Sequence, residues 1–155
     1  MFFAAPPVAN APAGITLKKV LVVDDNPVIL KTLAVKLQGH GYAVLTAEDG
    51  AGAVAIVRRD KPDIILLDLS FPTDQPPGGG VLWDGFLIMK WLRRLEEAKD
   101  IPIIAITGAD PEKSKGPAME AGATNFFHKP IDHEELFTVI GQILEQKDGK
   151  LHFAI

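Results

Sequence analysis

The residues of this sequence best suited to chemistry are aspartates, a threonine and a lysine, each placed at the end of a short apolar run. In chain order they are Asp24 and Asp25, Asp68, Thr107 and Lys129. If they are brought together, three carboxylates repel one another unless a cation lies between them. Oxygen ligands suit Mg²⁺, a hard cation that prefers octahedral coordination. The ammonium and the hydroxyl could then neutralise and hydrogen-bond the oxygens of a phosphoryl group.

The elements that must position these residues are five strand-like runs that alternate with five helical patterns. The predicted strands are Lys19–Val23, Ala43–Ala47, 63–67, 101–106 and 124–127, and the predicted helices are 27–39, 51–59, 84–99, 112–121 and 132–146. This alternation predicts an α/β fold, a doubly wound five-stranded parallel sheet with helices on both faces. If the strand order is 2-1-3-4-5, the first and third strands are neighbours at the switch point where such sheets bind ligands.

Composition limits the other possibilities. The 155 residues predict one domain at 18–147, between a flexible Ala/Pro-rich tail at 1–17 and a C-terminal tail at 148–155. The net charge of -4 argues against direct nucleic-acid binding, and the absence of cysteine excludes disulfides. No apolar run approaches the ~20 residues of a membrane span, so we expect a cytoplasmic protein.

Four segments carry a family resemblance: VLVVDDNP, DIILLDLSFP, IIAITGAD and FFHKP. They resemble the signature segments of response-regulator receiver domains of two-component signalling, over about 18–146 of the chain. The resemblance implies a flavodoxin-like fold in which Asp68 is the phosphoacceptor. It implies a magnesium site in which Asp25 is a direct ligand and Asp24 a ligand directly or through water. Asp68 and the backbone carbonyl of Ser70 would complete the protein ligands.

The same resemblance implies how the phosphorylated state is reported. Thr107 and Phe126 would be a switch pair, in which the hydroxyl moves toward the phosphoryl group and the ring turns inward. Lys129 would precede Pro130 across a cis peptide bond. The implied protein is a stand-alone phosphoacceptor and not an enzyme. Its partners would be a sensor histidine kinase or phosphotransfer protein and a separate effector protein, and a homodimer is not assumed.

Two other functions remain as alternatives. Phosphatases of the haloacid-dehalogenase type also use an aspartate nucleophile, but they need a general acid two residues later, where this chain has Ser70. Their acidic pair follows the lysine, whereas Asp24 and Asp25 precede Asp68. The second alternative is a receiver-like adaptor that works unphosphorylated, and the complete set of five residues argues against it.

The sequence departs from the receiver pattern in two places. The connection at 71–83 contains PPGGG, and it is longer than the about 2–6 residues usual between a strand and a helix. It could control access of a kinase to Asp68 or slow phosphoryl loss. In the fourth helix, Gly116 and Pro117 predict a short, kinked or irregular element, since proline in a helix interior costs ~3 kcal/mol.

Overall fold

The computed structural model describes residues 3–4, 16–69 and 85–153, and within them six strands form one sheet. The strands are β1 (Phe3–Ala4), β2 (Lys19–Val23), β3 (Ala43–Ala47), β4 (Ile64–Asp68), β5 (Ile103–Thr107) and β6 (Asn125–His128). Their order is β1-β3-β2-β4-β5-β6, and all pairings from β3 to β6 are parallel. For the five predicted strands this is the order 2-1-3-4-5, so the predicted fold class is confirmed.

Five helices cover the two faces of this sheet. They are α1 (Pro27–Gly39), α2 (Gly50–Asp60), α3 (Gly85–Arg94), α4 (Pro111–Ala121) and α5 (His133–Phe153). Alternate residues of each strand point to opposite faces. One core contains Leu21 and Leu67 with side chains of α2, α3 and α4, and the other contains Val22 and Leu66 with side chains of α1 and α5. Because both faces are covered, β4 and β5 are buried along their whole length.

The predicted start of α1 is confirmed in detail. The side chain of Asn26 accepts hydrogen bonds from the backbone N–H groups of Val28 and Ile29, and Pro27 occupies the first turn. The helix ends at Gly39, and Gly41 follows with a φ of 90°. This capping fixes where the chain turns from the end of β2 into α1, directly after the acidic pair.

The predicted tails contain structure that the sequence pattern did not indicate. Phe3–Ala4 pairs antiparallel with β3, with Phe3 opposite Thr46, and adds an edge strand to the sheet. At the other end, α5 continues through residues predicted as a tail, as far as Phe153. The Lys18 ammonium contacts Asp148 at 2.9 Å, which ties this extension to the chain entering β2.

The fourth helix is neither short nor irregular, and that part of its prediction is wrong. α4 runs from Pro111 to Ala121 and contains Pro117 in its interior. Proline leaves the carbonyl of Lys113 without its usual helical partner. Both residues are exposed, so water can reach this part of the helix. Ser114 and Ala118, each one residue further along, are buried, and Ala118 belongs to the core formed with α2 and α3.

The third helix is shorter than predicted because its end is drawn into a series of turns. The backbone N–H groups of Leu95, Ala98 and Ile101 each donate to the carbonyl three residues earlier. The guanidinium of Arg93 donates to the carbonyls of Ala98, at 2.9 Å, and Ile101, at 2.6 Å. It also donates to Gly122 at the end of α4. In the described part of the chain, no helix combines the length and apolar character needed to cross a membrane.

Candidate metal centre

The polar residues singled out in the sequence lie at one edge of the sheet. Asp24 follows β2, Asp68 ends β4, Thr107 ends β5 and Lys129 comes directly after β6. The parallel register places these strand ends side by side, with Val23 opposite Leu67 and Asp68 opposite Ile106. The edge is therefore built from residues far apart in sequence, as the strand order requires.

The three aspartates of this edge form a compact acidic cluster. One carboxylate oxygen from each of Asp24, Asp25 and Asp68 lies within 4.8 Å of the others. Asp24 and Asp68 are each 4% exposed, whereas Asp25 is exposed to solvent. Three carboxylates at this spacing are the donor set that a hard divalent cation prefers, with one side left for water ligands. The residues present therefore fit a magnesium ion.

Asp24 is the carboxylate most affected by its surroundings. Its pKa is raised to about 7, chiefly by burial and also by the neighbouring charge of Asp68, while the backbone N–H of Asn26 and the ammonium of Lys129 oppose the shift. The Asn26 N–H donates to Asp24 Oδ1 at 2.9 Å. A cation held between the carboxylates would favour the ionised form in the same way as the lysine does.

Lys129 supplies positive charge inside the cluster. Its Nζ donates to Asp68 Oδ2 at 3.1 Å and lies 4.0 Å from Asp24 Oδ2. Its backbone N–H donates to the carbonyl of Thr107 at 2.8 Å, which holds it at the end of β5. The peptide bond between Lys129 and Pro130 is cis, as the family resemblance implied.

Thr107 and Phe126 occupy the same side of the sheet. Thr107 is 2% exposed, and its Oγ1 accepts a hydrogen bond from the backbone N–H of Ala109 at 3.0 Å. Phe126 lies opposite Ala105, two residues before Thr107, and packs against the core formed with α2, α3 and α4. Ser70, the remaining predicted ligand, lies outside the described residues, as does the connection at 71–83.

Two features of the site were missed in the sequence. A cavity of about 240 Å³ extends from Asp68 and Lys129 between α1 and the start of α5, and its lining includes Ile29, Pro130 and His133. No local pattern marks it, because its walls come from separate elements. The second feature is Gly85, whose backbone lies against that of Asp68. The sequence signal for this position is the pair Asp84-Gly85, which resembles the Asp-Gly pair that follows the phosphoacceptor in receiver domains, but it does not indicate the contact itself.

With this geometry established, comparison with known proteins identifies the family. Residues 20–141 match the model of the response regulator receiver domain. The chain belongs to this family, which serves two-component signalling.

The chain is 34% identical over 128 residues to the protein PilH of Pseudomonas aeruginosa, an alignment covering 83% of this chain and 98% of PilH. The chemotaxis response regulator CheY4 of Vibrio cholerae is 32% identical, with a TM-score of 0.70 over 83% of this chain and 99% of CheY4. The receiver domain of the sensor histidine kinase PA1611 of Pseudomonas aeruginosa, solved with magnesium in its active-site cleft, is 28% identical, with a TM-score of 0.68 over 82% of this chain and 97% of that domain. Other curated relatives are longer, and the chain spans 26% to 51% of their length.

Proposed function

We propose that this receiver domain accepts a phosphoryl group on Asp68 in a magnesium-dependent reaction. The observation that carries the proposal is the contact of 3.1 Å between Lys129 Nζ and Asp68 Oδ2, inside the cluster of Asp24, Asp25 and Asp68. The end of a strand does not require a lysine beside a buried carboxylate, nor two further carboxylates next to them. The arrangement suits the transfer of a charged group to Asp68.

The transfer requires little covalent chemistry from the protein. The P–N bond of a phosphohistidine breaks and a P–O bond to a carboxylate oxygen of Asp68 forms, so the domain contributes positioning and charge neutralisation. Lys129 is close enough to pair with an oxygen of the incoming group. Thr107, at the adjacent strand end, can donate its hydroxyl to a second oxygen while its Oγ1 accepts from the Ala109 N–H.

The acidic cluster is the proposed magnesium site. Asp24, Asp25 and Asp68 would hold the ion, with the backbone carbonyl of Ser70 proposed as a further ligand. When bound, Mg²⁺ supplies positive charge that offsets the carboxylates and the phosphoryl oxygens. The related PA1611 domain, which was solved with magnesium in its active-site cleft, supports this assignment.

We propose that the output is a change of surface and not a chemical product. Movement of Thr107 toward the phosphoryl group would leave space that the ring of Phe126 can fill, because the two residues lie on the same side of adjacent strands. Such a shift biases the domain between two states that a partner can distinguish. The proposed donor is a sensor histidine kinase or phosphotransfer protein in the cytoplasm, and the proposed receiver of the signal is a separate effector protein.

The test is phosphoryl uptake from a small donor such as acetyl phosphate, followed by intact-protein mass spectrometry. We expect wild type to gain one phosphoryl group with Mg²⁺ and little with EDTA. Asp68→Asn should gain none. Asp100→Asn is the matched control, because this exposed aspartate precedes β5 at the opposite edge of the sheet.

The same assay separates the alternatives. Folded wild type that binds Mg²⁺ but never gains a phosphoryl group would overturn the proposal in favour of an unphosphorylated adaptor. Repeated hydrolysis of a phosphomonoester such as p-nitrophenyl phosphate, lost in Asp68→Asn, would instead indicate a phosphatase. Uptake that persists in Asp68→Asn would place the phosphoacceptor at another residue.

A further inference from the structure

Gly85, the first residue of α3, lies against the backbone of the strand that carries Asp68. A Cβ atom at position 85 would lie 2.4 Å from Leu69 Cα and 2.7 Å from the backbone oxygen of Asp68. It would also lie 3.1 Å from the carbonyl carbon of Leu69. All three are backbone atoms, so rotation of a side chain cannot relieve the contact. Any residue other than glycine must therefore displace either β4 or α3.

The strand side of this contact is firmly held. Asp68 is paired with Ile106 of β5, and the backbone N–H of Leu69 donates to the carbonyl of Ile106 at 2.7 Å. The Leu69 side chain is 4% exposed and belongs to the core shared with α3. Moving this peptide means breaking that hydrogen bond to β5.

The helix side is held equally well. Three side chains of α3 are fully buried in the same core, namely Ile88, Met89 and Leu92. Moving α3 outward would open space around all of them, which core packing opposes. A side chain at position 85 thus has no low-energy direction in which to fit, and part of the displacement must fall on the Asp68–Leu69 peptide.

We propose that Gly85 is a positioning residue for the phosphoacceptor, and this rests on the function proposed above for Asp68. Its missing side chain lets α3 begin in contact with the Asp68–Leu69 peptide. That contact fixes the direction in which the Asp68 carboxylate enters the site. Gly85 acts through the backbone and touches no phosphoryl group itself.

The experiment compares Gly85→Ala with two matched variants. Leu92→Ala destabilises the same helix about two turns away from the contact of Gly85 with Asp68 and Leu69. Gly39→Ala is a glycine change in a helix with no atom within 4 Å of the added Cβ. For each variant we would measure the free energy of unfolding in urea, the Mg²⁺ dissociation constant by calorimetry, the initial rate of phosphoryl uptake from acetyl phosphate, and the amide NMR shift of Leu69. Binding and uptake are expressed per folded molecule.

We expect Gly85→Ala to weaken Mg²⁺ binding and slow uptake by about tenfold to a hundredfold, as small misplacements of reacting groups do. The Leu69 amide shift should change with them. Leu92→Ala should lose stability and keep both site properties near wild type per folded molecule. Gly39→Ala should keep both site properties at wild-type values and be as stable as wild type or slightly more stable.

Several results would overturn the inference. One is a Gly85→Ala protein that binds Mg²⁺ and takes up phosphoryl groups as well as wild type does. Another is a Leu92→Ala protein that loses Mg²⁺ affinity and uptake rate as much as Gly85→Ala does. If Gly85→Ala is unfolded, trimethylamine N-oxide can be added to restore folding. Failure to fold even then would assign Gly85 to the stability of the fold alone. If wild type itself takes up no phosphoryl group, the proposed function fails separately. In that case the Leu69 amide shift still tests whether Gly85 positions this peptide, and an unchanged shift in Gly85→Ala would reject that role.

Discussion

Lys129 donates from Nζ to Asp68 Oδ2 at 3.1 Å, although Asp68 also belongs to the acidic cluster proposed to hold magnesium. The same ammonium lies 4.0 Å from Asp24 Oδ2. Lysine and metal ion would therefore neutralise the same carboxylates from different sides. In the metal-free protein, Lys129 is the principal positive charge that we find at this edge of the described structure.

Removing the Lys129 ammonium should strengthen magnesium binding and weaken phosphoryl uptake. We expect Lys129→Met to lower the Mg²⁺ dissociation constant by about tenfold, since a screened repulsion of about 1.4 kcal/mol between cation and ammonium has that effect. Uptake from acetyl phosphate should slow because the incoming group loses its cationic partner. Calorimetry and mass spectrometry provide the two measurements.

The matched control for this change is Lys99→Met. Lys99 pairs with Glu96 at 2.7 Å on the exposed surface, where ion pairs contribute little. It should leave both properties unchanged. Weaker Mg²⁺ binding in Lys129→Met would contradict the idea that lysine and metal repel each other at the site.

Asp24 should make the stability of the metal-free protein depend on pH. Its pKa is raised from 3.8 to about 7, chiefly by burial, so the folded state holds a proton that the unfolded state has released. This contribution to stability is fully present below the unfolded value and is lost as pH rises toward 7. In EDTA, we expect wild type to lose stability relative to Asp24→Asn between these pH values, as followed by urea unfolding. If stability depended on pH in the same way in both proteins, the raised pKa of Asp24 would be contradicted.

Arg93 should contribute to the stability of the fold and not to Mg²⁺ binding at the acidic cluster. Its guanidinium donates to the carbonyls of Ala98, Ile101 and Gly122, which joins the end of α3 to the end of α4. Arg93→Met should lower the free energy of unfolding by about 1–3 kcal/mol, because partly buried carbonyls lose a charged donor. Mg²⁺ affinity per folded molecule should stay the same. Arg94→Met, at the exposed neighbouring position, is the control, and equal losses in both variants would count against this interpretation.

Pro117→Ala should stabilise α4. The alanine N–H can donate to the carbonyl of Lys113, and the clash of the proline ring disappears. The unfolded chain gains some freedom, which offsets part of the benefit. We expect the free energy of unfolding to rise by about 1–2 kcal/mol in urea titrations. A decrease would show that the proline is accommodated in α4 at no cost.

Much of the site could be predicted because it depends on local patterns. The apolar runs ending at Asp24, Asp68 and Thr107 define strands, and parallel strands necessarily bring their ends to one edge. The identities of the polar residues then indicate the chemistry. The strand order alone is enough to bring these residues together.

The parts that could not be predicted depend on contacts between distant residues. The early end of α3 follows from the carbonyls that surround Arg93, including one 29 positions away in sequence. The continuity of α4 through Pro117 follows from the packing of Ala118. The edge strand Phe3–Ala4 is too short for any periodicity to reveal it. In each case, tertiary contacts outweigh the local preference.

The close approach of Gly85 to Leu69 also bears on how this domain can vary in evolution. Leu69 and Gly85, which flank the connection at 70–84, lie in contact, so no fixed distance between them dictates how many residues join them. Closing a flexible loop becomes harder only slowly as it lengthens, by ~0.6 kcal/mol for each doubling. Residues can therefore be inserted between Leu69 and Gly85 while the sheet stays unchanged. Descendants of one ancestral domain could thus come to differ in what they present to a partner without altering the residues that receive the signal.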